Sequence, residues 1–332
     1  MQAWAAVGVE PGRVEFRRVA APEPGPEDVV LRIGQSWISN GTEGSFVRGE
    51  RIAGDTPWRP GDPHPFPLVP GYQKVGTVEW VGPAVADLEV GETVFATVSR
   101  VEGMYFPTGG HVSPAVTHRS QVWKLPPGVE PAAFSGMVLT QVGYNVAQRL
   151  AVAPADAAVV LGDGLIGHWA GQVLQERGAR VLLVGRHDQR LGLFAAGHGD
   201  RVVNARTEDV AAVVREWAPD GVQAVAHTAG PVAPVEALFP MMRRNGQISS
   251  AAFCGTEGQF DIQKLRAREL SLHAPAGWAQ DRMDATRERI ADGRLRTLPL
   301  VTHHFPAAEA AAAFELVLHR TEPVLGVVLD WD

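Results

Sequence analysis

Thiols are almost missing from this chain, which has one cysteine, Cys254, among 332 residues. A single cysteine excludes a disulfide within the chain and any site assembled from several thiolates. Long apolar runs are missing too. The longest, such as "AAVVLG" and "VLLVG", are of strand length and far short of the roughly 20 residues that cross a bilayer. Charge is not strongly of one sign: 37 acidic and 30 basic residues give a formal charge of -7. That balance offers no basic face for nucleic acid and no polybasic anchor for a membrane. The opening "MQAWAAVGVEPGRVEF" is strand-like and lacks a charged stretch followed by an apolar one, so no signal peptide is expected. The expectation is a soluble cytoplasmic protein with a small-molecule substrate and no nucleic-acid or membrane partner.

What is present divides the chain in two. Of 25 prolines, 16 lie in residues 1–131. This part carries short alternating runs, "EDVVLRIGQSWIS", "KVGTVEWVG" and "ETVFATV", broken by turn clusters such as "PEPGPED". Such a pattern predicts a small antiparallel β-domain. From about Ala132 the texture changes. "AAVVLGDG" reads as a buried strand, "LIGHWAGQVLQERG" as a helix ending at Gly178, "RVLLVG" as a second strand and "RLGLFAAGHG" as a second helix. Strand and helix continue to alternate, which predicts an α/β fold with a parallel, doubly wound sheet. The tail from about Pro275 returns to a strand, a helix starting after Pro306 and a last strand, "EPVLGVVLDW".

Gly162-Asp163-Gly164-Leu165-Ile166-Gly167 is a G-x-G-x-x-G between a strand and a helix. The first glycine makes a tight turn, the second lets the backbone approach a pyrophosphate, and the third lets helix and strand pack closely. The helix N-terminus then faces the phosphates. Thr228 and Ala229, at the end of a later strand, "VQAVAHTAG", join this cofactor site. About 20 residues on, an Asp or Glu usually holds the ribose 2′-hydroxyl. Here Gly185 takes that place, followed by Arg186, His187 and, one turn on, Arg190. Losing the carboxylate removes repulsion against a 2′-phosphate, and a guanidinium can pair with it, so NADP is favoured over NAD.

Taken together, "GPEDVVLRIGQSWISNGTEG", "PLVPGYQKVGTVEWVGPAV", "GETVF", "GGHVSPAVTHRSQVWKLPPGV" and "VVLGDGLIG" resemble the medium-chain dehydrogenase/reductase family over nearly the whole chain. The resemblance implies a GroES-like catalytic domain over 1–127 and 277–332, a Rossmann domain over 128–276, and a homodimer. The departures from the family lie at its zinc ligands. Asn40 stands at the cysteine, Tyr72 at the histidine, Gln73 at the neighbouring glutamate, and Met137 near the third ligand. Amide and phenol oxygens are poor zinc ligands beside thiolate and imidazole, so no zinc is expected. "NGTE" with "GYQ" is similar to the branch that contains bacteriochlorophyllide and sugar dehydrogenases.

With the hydride supplied by the cofactor, the protein must place a substrate and manage one proton at its oxygen. Thr42 matches the family's hydroxyl relay. Tyr72 stands at a vacated ligand position and could donate directly, and Asn40 and Gln73 could hydrogen-bond the same oxygen. The competing reading makes Tyr72 and Gln73 fillers of the vacated cavity. Glu43 and Lys74 read as structural residues, an ion pair between them being the alternative. The segment "SFVRGERIAGDTPWRPGDPHPFP" has the length of a substrate lid or a disordered insert, and its Arg48, Arg51, Trp58, Arg59 and His64 would suit an anionic or polyhydroxylated substrate. His303 and His304 read as structural. Three functions stay open: a zinc-free dehydrogenase or ketone reductase, an enone or quinone reductase, and a non-catalytic NADPH-binding protein.

Overall fold

Aliphatic and β-branched runs with no polar face build a parallel sheet in the second half of the chain. The computed structural model describes residues 1–331. It divides the chain into one unit formed by Met1–Val138 with the segment from Thr297 onward, and another formed by Leu139–Arg296. In the latter, six strands follow in chain order: Ala157–Leu161, Arg180–Gly185, Arg201–Asn204, Val222–His227, Met242–Ser250 and Ser271–His273. All their pairings are parallel. Numbered in that order they lie 3-2-1-4-5-6, the doubly wound arrangement that the alternation predicts. Val159, Val160, Leu182, Leu183 and Val225 are fully buried because helices cover this sheet on both faces. Truncating one of them, as in Leu182→Ala, costs about 2–5 kcal/mol.

The helix after the first strand runs Leu165–Glu176. Gly178 stops it with φ +81°, a left-handed conformation that glycine adopts without strain. The Gly178 N–H donates to Gln175 O (2.9 Å) and the Ala179 N–H to Leu174 O (3.0 Å), closing a Schellman motif. The second helix is much shorter than "RLGLFAAGHG" predicts, a single turn at Asp188–Leu191. Glycines at 192, 197 and 199 weaken any continuation, and Asp200 organises a turn instead. Its carboxylate accepts from the N–H groups of Val181 (2.6 Å) and Gly197 (2.7 Å).

In the first unit, Asp28–Ile38 is the central strand of a mostly antiparallel sheet. The order is Val122–Lys124, Thr93–Ala96, Lys74–Val81, Asp28–Ile38, Gly326–Asp330, Val301–Pro306, with Ala115–His118 also paired to the central strand. The segment from Thr297 onward therefore joins this unit, whereas residues 277–296, expected here from the sequence, fall in the other. A smaller sheet sets Gln2–Glu10 between Val112–Ser113 and Arg13–Ala20. Alternate residues of both sheets, among them Ala5, Val7, Leu31, Ile33 and Val94, share one core with Phe314 and Val317 of the helix Ala310–His319.

The Gly- and Pro-rich segment after the central strand is ordered by its own side chains rather than loose. It forms a helix, Thr42–Val47, and a hairpin of Arg51–Ala53 with Thr56–Pro57. Arg51 is buried and donates to Ser45 Oγ (2.6 Å), Gly54 O (3.1 Å) and Asp55 Oδ1 (2.6 Å). Arg48 pairs with Glu50 at 2.7 Å, and Trp58 stacks on His64 with centroids 4.8 Å apart. Two of the cations read as substrate contacts are thus engaged within the segment. No helix among the described residues is long and apolar enough to cross a membrane.

Candidate functional site

The residues singled out from the sequence fall into two groups, one in each unit. The glycine-rich turn joins the strand Ala157–Leu161 to the helix Leu165–Glu176. Gly162 has φ +124°, and a Cβ there would lie 2.5 Å from Thr228 Oγ1 and 3.0 Å from Ala229 Cβ. A Cβ on Gly167 would lie 1.9 Å from the Gly162 carbonyl oxygen, so strand and helix approach as closely as only glycine permits. A Cβ on Gly164 would meet nothing within 4 Å. That open side adjoins the helix N-terminus, whose first-turn N–H groups have no partner within the helix and attract phosphate oxygens. Thr228 is tied in by its hydroxyl, which donates to Leu161 O at 3.0 Å. Leu165 is buried behind the turn and Ile166 is half-buried. These features fit the pyrophosphate of a dinucleotide, with backbone amides as the donors.

At the end of the second strand, Gly185 is buried, Arg186 is exposed, and His187 and Arg190 are half-buried. The acid that holds this loop is Asp163, the residue between the first two glycines of the motif. Its Oδ2 accepts from the N–H groups of Arg186 (2.8 Å) and His187 (2.9 Å) and lies 2.8 Å from His187 Nδ1. Arg190 Nη1 stands 3.7 Å from Oδ1. Burial pushes the Asp163 carboxyl up, but the Arg186 and His187 hydrogen bonds and the charges of His187 and Arg190 more than offset it, leaving it below the usual range. The motif pattern leaves this position open, so sequence reasoning passed over Asp163. Nearby His168 is buried and pushed down to about 4 by that burial, although the Asp163 charge and the Arg190 backbone oppose the shift.

In the first unit, the helix Thr42–Val47 and the turn before the strand Lys74–Val81 bring Thr42 and Tyr72 together. Side-chain hydrogen bonds connect the Tyr72 phenol to Ser39 and Thr42. Burial pushes this phenol up to about 12, and the negative charge of Glu43 adds to the rise. Hydrogen bonding and the Arg51 charge pull the other way without cancelling it. Asn40 and Gln73 serve the backbone: Asn40 Nδ2 donates to Leu325 O (2.6 Å), and Gln73 Nε2 to Trp37 O (3.1 Å). The Asn40 amide oxygen is buried without a hydrogen-bond partner among the described residues.

Glu43 and Lys74 do not form the ion pair considered from sequence. Glu43 Oε2 lies 2.7 Å from His111 Nε2, and its Oε1 accepts from the Ser39 N–H at 2.8 Å. His111 Nδ1 meets Ser36 Oγ at 2.8 Å, and Trp331 Nε1 donates to the same oxygen at 2.8 Å. One orientation of protons satisfies every member: Trp331 donates to Ser36, Ser36 to His111 Nδ1, and His111 Nε2–H to Glu43. Lys74 instead donates to Thr97 O at 2.8 Å, and burial pushes its ammonium down to about 7. Signals for His111 were slight, since its 68-residue separation from Glu43 hides the pairing.

The donors at the four vacated positions are two amides, a phenol held in its protonated form, and the buried thioether of Met137. This set does not fit zinc, which takes thiolate, imidazole or carboxylate. His303 and His304 lie in the edge strand Val301–Pro306. His303 meets Thr302 Oγ1 at 2.8 Å and Glu322 at 3.4 Å, and His304 meets Asp330 at 3.0 Å, all structural contacts.

Residues 166–291 match the family model described as zinc-binding dehydrogenase. Over 314 residues the chain is 29% identical to the 2-desacetyl-2-hydroxyethyl bacteriochlorophyllide A dehydrogenase of Rhodobacter capsulatus, with 93% of this chain and 92% of that protein covered. It is 25% identical over 269 residues to the 2-dehydro-3-deoxy-L-galactonate 5-dehydrogenase of Pseudoalteromonas atlantica, covering 75% and 79%. Among solved structures, a putative zinc-binding dehydrogenase from Sinorhizobium meliloti bound to NADP aligns with a TM-score of 0.81 at 18% identity, over 99% of both chains. At that identity the likeness is one of fold.

Proposed function

We propose that this chain is a zinc-independent, NADP-preferring oxidoreductase of the medium-chain dehydrogenase/reductase family, acting on a small-molecule alcohol/carbonyl pair. The observation that carries this reading is the Tyr72–Thr42 hydrogen bond at the positions where the family's zinc chemistry would sit. A bound nicotinamide supplies or accepts the hydride. The chain's own residues then have to hold the substrate oxygen and its proton. Tyr72, with its phenol near 12, keeps its proton at neutral pH and acts chiefly as a hydrogen-bond donor to charge developing on that oxygen. It yields the proton only as the oxygen approaches a full alkoxide. Thr42, bonded to the same phenol, offers the route by which the proton is replaced. Burial chiefly, with the charge of Glu43 adding to it, keeps Tyr72 from ionising, and Glu43 is itself held by His111.

Preference for NADP is supported by Gly185, which carries no carboxylate, and by the exposed Arg186 beside it. Zinc independence is supported by the donor set just described. A cytoplasmic location, in keeping with the lone Cys254 and the mild net charge, and the homodimer that the family resemblance implies complete the proposal. The experiment is a nicotinamide-fluorescence screen of sugars, polyols, ketones and quinones. Turnover of alcohols or ketones is expected. Turnover confined to quinones or enones would make the chain a double-bond reductase, and cofactor binding without turnover would make it a non-catalytic NADPH-binding protein.

A further inference from the structure

The end of the strand Arg180–Gly185 is the place where a carboxylate decides between a ribose 2′-hydroxyl and a 2′-phosphate. Gly185 brings none, yet the place is not empty of charge. A Cβ built on Gly185 would lie 2.4 Å from Asp163 Cβ and 2.6 Å from Asp163 Oδ2. The Asp163 side chain thus occupies the space into which a side chain at 185 would grow. It arrives from the neighbouring glycine-rich turn, and four groups fix it: two backbone N–H groups, the His187 ring and the Arg190 guanidinium. The other acid of this loop, Asp188, is turned to Asn204, whose Nδ2 donates to it at 2.6 Å. The carboxyl of Asp163 lies below the usual range and is ionised at neutral pH.

We propose that Asp163 is a cofactor-selectivity residue, whose carboxylate supplies from the glycine-rich turn the negative charge that Gly185 lacks. It faces the 2′ position of the adenosine ribose and restrains the preference for NADPH that Arg186 and Arg190 create. The inference rests on the reading that this turn binds NAD(P). An Asp buried against two backbone amides also has a structural use, since it fixes the loop Arg186–Arg190. The two roles separate cleanly. Loss of the loop anchor weakens both cofactors alike, whereas loss of the charge favours the cofactor that carries the extra phosphate.

The test is titration of NADH and NADPH, followed by nicotinamide fluorescence, on the full chain and on Asp163→Asn, which keeps size and one acceptor oxygen. Asp163→Ala, which removes both, serves as the second variant. Thermal melts establish that each is folded. The proposal expects the ratio of Kd for NADH to Kd for NADPH to rise about tenfold or more in both variants, the scale of relieving one like-charge juxtaposition. A ratio unchanged within about twofold, with both affinities reduced together, would overturn it and leave Asp163 a loop anchor. Failure of the parent chain to bind either cofactor would overturn the reading of the turn itself, and the proposal with it.

Discussion

Replacing Lys74 by Met removes a charge that the fold buries at a cost. The side chain is fully buried and its ammonium makes one hydrogen bond, to Thr97 O at 2.8 Å. Burial lowers it from 10.5 to about 7. At about 1.4 kcal/mol per tenfold change in proton affinity, that interval corresponds to roughly 5 kcal/mol. Between pH 7 and 10.5 the unfolded chain holds the proton and the folded chain does not. Stability from this group therefore rises with pH through that window, and the full cost is present below about 7. Met leaves the Thr97 carbonyl without its donor, a loss of about 1–3 kcal/mol. Lys74→Met is then expected to stabilise the fold by roughly 2–4 kcal/mol at pH 6. By pH 9 the remaining cost has fallen to about 2 kcal/mol and the advantage nearly vanishes. Urea denaturation of both proteins at pH 6 and pH 9, monitored by tryptophan fluorescence, measures the difference, and other titrating groups cancel in it. A difference constant within about 0.5 kcal/mol across that range would refute the buried, proton-shedding lysine.

Thr42→Ala and Tyr72→Phe are expected to lower kcat by about 10²–10⁴-fold with NADPH affinity nearly unchanged, read by steady-state kinetics beside a cofactor titration. A loss of only twofold in both would remove them as proton handlers and turn attention to carbon protonation. Arg186→Ala should narrow the gap between NADPH and NADH affinities by about tenfold, since one charge-assisted contact is worth roughly 1.5–3 kcal/mol. Equal affinities in the parent chain would leave Arg186 a surface charge. Gly167→Ala places a methyl 1.9 Å from the Gly162 carbonyl oxygen, so the turn must open. A thermal melt should show destabilisation of at least about 1–3 kcal/mol, with weakened cofactor binding.

The fold was legible because its two halves carry different periods. Alternation of polar and apolar residues in "KVGTVEWVG" marks a half-buried strand, while "AAVVLGDGLIG" couples a buried strand to a turn that only glycine can make. The second helix was overread because its apolar residues suit a helix, whereas Gly192, Gly197 and Gly199 favour the turn that Asp200 organises. At the candidate site, the nearness of Thr42 to Tyr72 follows from family positions. The partners of Glu43 and Lys74 do not, because their neighbourhood in sequence says nothing about which strand faces them. Glu43 found His111 across 68 residues, and Lys74 found a carbonyl just past the end of the adjacent strand. Asp163 escaped notice because the motif constrains only its glycines. Its place beside Gly185 becomes visible only when the spacing between Gly185 and the turn is known.

Hydride transfer to or from a carbonyl without zinc is tested by turnover measured on protein of known metal content. Protein purified without added metal is treated with chelator, its zinc is quantified, and the same sample is assayed with NADPH and the best carbonyl substrate of the screen. Far less than one zinc per chain is expected, with a turnover unaffected by chelation or by added zinc. Stoichiometric zinc that resists the chelator, or turnover that rises and falls with zinc content, would contradict it.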